Sequence, residues 1–62
     1  MQKRIGDLKR GDAFRTRLTN RLGTVMHVGR YAVDVVIQPL APEGLGEDAI
    51  YHNDVIVDEV KQ

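Results

Sequence analysis

The chain reads as an all-β fold, a single five-stranded small barrel, on three observations. Six glycines interrupt every window long enough for an apolar stripe of helical period. β-Branched residues cluster between those glycines, and turn-forming residues separate the resulting short runs. A closed barrel would also remove the exposed edges that an open sheet leaves for aggregation.

The first strand is expected over Ala13 to Leu18, after an Arg10-Gly11-Asp12 turn. There Phe14, Thr16 and Leu18 alternate with Arg15 and Arg17, so one face can enter a core while the other stays in water. A second strand is expected from Leu22 to Val28. Val25 and Val28 stand three apart in it, which breaks strict alternation and predicts a bulge near Met26-His27. Gly29-Arg30 has the length and the glycine of a two-residue hairpin turn leading into a third strand, Tyr31 to Gln38. Pro39 ends that strand because it cannot donate to a ladder.

An exposed loop is expected over residues 39–46, then a short strand from Asp48 to His52. His52-Asn53-Asp54 reads as a tight turn or one turn of 3₁₀ helix before a last strand, Val55 to Val60. Residues 1–10 are read as a flexible N-terminal arm. The expected core is Leu8, Phe14, Leu18, Val25, Val28, Val33, Val35, Ile37, Ile50, Val55 and Val57.

With 62 residues, 42% of them hydrophobic and 29% charged, the chain can build one core and is too apolar to stay disordered. It has no cysteine, so a reducing compartment, the cytoplasm, is the expectation. No apolar run is long enough for a signal peptide or a membrane span, and no membrane role is expected. Net charge is zero, yet its distribution is uneven. Residues 1–30 carry eight basic side chains against Asp7 and Asp12, a balance of +6, and residues 31–62 balance to −6.

The run GDAFRTRLTNRLGTVMHVGRYAVDVVI resembles the SH3-like barrels, in particular the KOW-type pattern of a GD turn, a strand, a variable loop and a G-x-V-x-x-V strand. Gly11-Asp12 supplies the turn, and Gly23, Val25 and Val28 the second strand. The ending IYHNDVIVDEV is similar to the short strand, 3₁₀ turn and final strand that complete such barrels. The resemblance implies contact with RNA or with transcription and ribosomal machinery through loops and a basic surface. A similar tiny barrel serves the type II dihydrofolate reductase, whose V-Q-I-Y stretch corresponds at best to Asp48-Ala49-Ile50-Tyr51, without the glutamine. That activity is only a remote alternative.

Candidate contact residues are Lys9, Arg10, Arg15, Arg17, Arg21 and Arg30, whose cations suit phosphates, and Tyr31, whose ring can stack. The competing reading sets the strand arginines against Asp58 and Glu59 in cross-strand pairs, since the first and last strands of SH3-like barrels are neighbours. No catalytic, metal-binding or cofactor-binding pattern stands out: His27 and His52 have no cysteine companions, and adjacent Asp58 and Glu59 point to opposite faces of a strand. The functional expectation is a non-catalytic module that binds RNA, DNA or a nucleoprotein complex. The alternative is a module that binds a protein partner or itself, the positive half of one chain meeting the negative half of another.

Overall fold

A computed structural model describes residues 1–39 and 43–60. Its strands are β1 (Gln2–Arg4), β2 (Ala13–Thr16), β3 (Leu22–Val28), β4 (Ala32–Ile37), β5 (Glu47–His52) and β6 (Ile56–Val60), with a 3₁₀ turn at Ile5–Asp7. All six belong to one antiparallel sheet in the order β1-β6-β2-β3-β4-β5. The all-β expectation holds, but in place of five strands in a closed or nearly closed barrel the described residues form a six-stranded sheet with β1 and β5 as unjoined edges. Of the loop expected over residues 39–46, Leu40, Ala41 and Pro42 lie outside the described residues, as do Lys61 and Gln62.

The extra strand comes from the N-terminus, which is not a free arm. Gln2, Lys3 and Arg4 pair with Asp58, Val57 and Ile56, and the ladder continues as Ile5 N–H donates to Val55 O at 2.7 Å and Gly6 N–H to Asn53 O at 3.0 Å. The reason is Ile5, which is completely buried. Its isolated position in a charged stretch gives no periodic signal, yet its side chain and that of Leu8 fill one end of the core.

The remaining core comes from alternate residues of the strands. Phe14, Val25, Val33, Val35, Ile37 and Val57 are buried with Ile5 and Leu8, and Val28, Ala49 and Tyr51 pack at their margin. Phe14 sits directly across from Gly23 in the β2–β3 ladder. A Cβ on Gly23 would lie 2.6 Å from Phe14 Cζ and 2.9 Å from Ile37 Cδ1, so the ring occupies space that any side chain there would need. Beyond it Tyr51 meets the Phe14 ring edge-on, centroids 6.3 Å apart, tying β5 to β2 through the interior.

The bulge expected near Met26-His27 is present. Register passes from Val25↔Val35 to His27↔Asp34, leaving Met26 unopposed, and this extra residue lets Val25 and Val28 turn the same way. At the β3–β4 hairpin Gly29 N–H donates to Ala32 O at 2.8 Å, so the tip is Arg30-Tyr31, one residue later than expected. Gly29 serves there by closeness, since a Cβ would approach Ala32 O to 2.9 Å.

Three expected core residues are exposed: Leu18 completely, Ile50 at 71% and Val55 at 38%. Leu18 fails because β2 stops at Thr16, whose hydroxyl accepts the Arg21 N–H at 2.9 Å while Asn20 turns the chain with φ 54°. Ile50 fails because Ala49 and Tyr51 face Val35 and Val33, which puts the residue between them on the outer face. Val55 belongs to the turn before β6, where its N–H donates to His52 O at 3.0 Å.

Truncation of the buried N-terminal anchor, Ile5→Ala, is expected to cost about 2–5 kcal/mol. Gly23→Ala is expected to cost about 1–3 kcal/mol by overpacking Phe14. Urea unfolding measures both, and an unchanged midpoint for Ile5→Ala would mean that the residue is not in the core.

Candidate binding surfaces

The seven sequence-derived contact residues occupy different parts of the sheet. Lys9 and Arg10 lie in the turn before β2, closed by Lys9 N–H donating to Asp12 Oδ2 at 2.8 Å and Asp12 N–H to Lys9 O at 2.9 Å. Gly11, with φ 91°, completes that turn and donates its N–H to Val25 O at 2.8 Å, which fixes the turn against the middle of β3. Arg15 and Arg17 are exposed at the far end of β2 and in the loop after it. Arg30 and Tyr31, the latter 72% exposed, form the tip of the β3–β4 hairpin.

Arg21 precedes β3 and Arg30 follows it, so the two are separated by a seven-residue strand, about 23 Å at 3.3 Å per residue. That exceeds the Debye length of about 8 Å in physiological salt, and cations at the two ends act independently. Arg21 is also engaged. Its guanidinium donates to Gln38 O at 2.9 Å and forms a 3.2 Å ion pair with Glu47, bracing the start of β3 against the end of β4 and the start of β5. With 22% of its side chain exposed and Nε buried without an acceptor, Arg21 is a structural brace rather than an available contact.

One acidic strand, β6, is inserted among strands of the basic half. β6 runs between β1 and β2, setting Arg15 across from Asp58, while Glu59 takes Lys3 at 3.2 Å and Asp54 takes Arg4 at 2.6 Å. Arg15 and Asp58 stand opposite in register, yet among the described residues the expected arginine pairs with Asp58 and Glu59 do not form: the Arg15 guanidinium donates to Asn20 O at 3.4 Å, and the cation beside Glu59 is Lys3. Of the −6 half, β6 thus lies among strands of the +6 half, while β4 and β5 lie together at one side of the sheet.

A cleft of about 280 Å³ lies among the end of β2 and the loop after it, the end of β5 and the start of β6. Leu18, Tyr51, Val55 and Ile56 line it above Val57, and Arg17 stands in its wall. Sequence reasoning missed this feature because period-two alternation assigns Leu18 and Val55 to the interior. A broader hollow of about 520 Å³ lies on the outer face of β3, β4 and β5, lined by Met26, Asp34, Asp48 and Ile50 among others.

Among the described residues no group of three or more His, Cys, Asp or Glu is placed to hold a metal ion. His27 and His52 are exposed on different strands, and the nearest acidic partner of His52 is Asp54, with Nδ1 to Oδ2 at 3.6 Å. No helix of the described residues is long and apolar enough to cross a membrane.

The brace and the exposed arginine separate by stability. Arg21→Met is expected to destabilise by about 1–2 kcal/mol, losing a charge-assisted bond to Gln38 O and a partly shielded ion pair. Arg17→Met is expected to stay within about 0.5 kcal/mol of the parent. Equal effects in urea unfolding would contradict the assignment. Comparison with protein-family models, curated proteins and solved structures returns no match.

Proposed function

We propose that the chain is a non-catalytic, SH3-like binding module that takes an extended segment of a protein partner into the Leu18–Tyr51–Ile56 cleft. The single observation that carries this reading is Leu18, a large apolar side chain fully exposed at a hairpin tip and bordering an apolar cleft. A lone exposed leucine would carry no meaning, but here it adjoins Tyr51, Val55 and Ile56 in one apolar cleft, and contiguous apolar surface marks an interaction site. Arg17 in the cleft wall favours a segment with a carboxylate beside its apolar residues. The SH3-like assignment is supported by the order of β2 to β6: β6 returns beside β2, and a tight turn at Asn53-Asp54 precedes it. Lack of cysteine suits a reducing compartment such as the cytoplasm.

A second reading is contact with RNA, DNA or a nucleoprotein complex. It is favoured by Lys9, Arg10, Arg15, Arg17 and Arg30, which are exposed and have no carboxylate within ion-pair distance among the described residues, and by the exposed Tyr31 ring. Their division between two ends of the sheet places this reading second.

One titration series separates the readings. A short peptide of alternating leucine and glutamate is expected to shift the amides of residues 16–19, 51 and 55–57, and Leu18→Asp is expected to weaken binding at least tenfold. Absence of peptide-induced shifts in the cleft would overturn the first reading. A short RNA or DNA oligonucleotide that shifts the Arg15, Arg17 and Tyr31 amides, with affinity falling steeply as salt rises, would establish the second.

A further inference from the structure

β5 is an edge strand six residues long, hydrogen-bonded on one side to β4 and on the other to no described strand. The direction of its free backbone groups follows from bonds elsewhere in the sheet. Ala32 O accepts from Gly29 N–H and Gln38 N–H donates to Leu22 O, so the even-numbered residues of β4 bond toward β3. Odd-numbered residues of β4 then bond toward β5, in agreement with the Asn53 N–H to Tyr31 O bond of 3.1 Å that continues the ladder. In the register Val33↔Tyr51 and Val35↔Ala49, the odd residues of β5 are used inward. Asp48 and Ile50 therefore direct their N–H and C=O groups out of the sheet edge and His52 its N–H, the His52 carbonyl being taken by Val55 N–H at 3.0 Å, and the three side chains share the outer face.

We propose that two copies of this chain pair antiparallel through β5 about a two-fold axis at Ile50. Registers that oppose an odd residue to an even one fail, because only the even residues offer bonds. Among the even registers, Asp48 against Asp48 sets like charges together, and Ile50 against Asp48 sets an apolar side chain against a carboxylate. The register centred on Ile50 alone opposes Ile50 to its mate and Asp48 to the mate's His52 at both ends. Asp54 N–H donates to His52 Nδ1 at 3.2 Å, which leaves the Nε2 proton free to meet that carboxylate. The same pairing covers Ile50, 71% exposed, and continues the sheet across both copies. Such an isologous contact closes on itself and stops at the dimer.

This dimer uses a different surface from the cleft, and its test is read separately. Sedimentation of the full chain over a concentration series is expected to show a monomer–dimer equilibrium, with amide exchange at Asp48, Ile50 and His52 slowing as the dimer forms. Ile50→Lys, an exposed substitution whose folding circular dichroism checks, is expected to be monomeric. Asp48→Lys is expected to weaken association roughly tenfold, and adding His52→Asp to restore it by inverting the pair. Leu18→Asp is expected to leave association unchanged. A chain that stays monomeric throughout, a dimer unaffected by Ile50→Lys, or slowed exchange located elsewhere would overturn the proposal.

Discussion

The placement of the Phe14 ring over a residue with no side chain is the constraint on which the rest of this structure depends. The six-stranded sheet buries one face, and the described residues supply no second layer to cover it. The sheet must therefore bend over its own inner face. Phe14 supplies the volume around which it bends, Gly23 lets β3 approach that volume, and Tyr51 brings β5 against it from the other end. The Met26 bulge gives β3 the added twist that such a bend requires. Ile5 and Leu8, carried by the N-terminal segment, then fill the end that the strands leave open.

The strand order has an electrostatic consequence. Because β6 lies between β1 and β2, the acidic end of the chain is laid between basic segments from the beginning of it. Exposed pairs such as Arg4–Asp54 contribute little individually, on the order of 0–1 kcal/mol. They engage Lys3, Arg4 and Arg21, while Lys9, Arg10, Arg15, Arg17 and Arg30 have no carboxylate within ion-pair distance among the described residues. Distinctive among the exposed apolar side chains are Leu18 beside one cleft, and Ile50 and Met26 on the outer face of β3 to β5. This is why apolar contact takes precedence over phosphate contact in the functional reading.

The all-β class, the bounds of β3 and the bulge were legible in the sequence, because glycine spacing and β-branched runs report directly on backbone conformation. The polarity of individual side chains was less informative. Leu18 follows the alternation of Phe14 and Thr16, but the Thr16 hydroxyl ends the strand by bonding the Arg21 N–H, a local interaction that alternation does not record. Ile50 is the largest aliphatic residue of its strand, yet register with β4 gives the interior to Ala49 and Tyr51. Ile5 shows the reverse failure, a single apolar residue among charges whose burial depends wholly on long-range pairing. The basic residues were identifiable as a set, while the use of Arg21 as a brace depends on Glu47 and Gln38, which only the folded sheet brings to it.

The central claim, that the sheet bends around Phe14 over Gly23, is tested most directly by proton–proton nuclear Overhauser effects in the folded chain. The account predicts strong cross-peaks from the Phe14 ring to the Gly23 α-protons, to the Ile37 δ-methyl group and to the Tyr51 ring. A Phe14 ring that shows cross-peaks to its sequence neighbours but none to Gly23 or Tyr51 would contradict it.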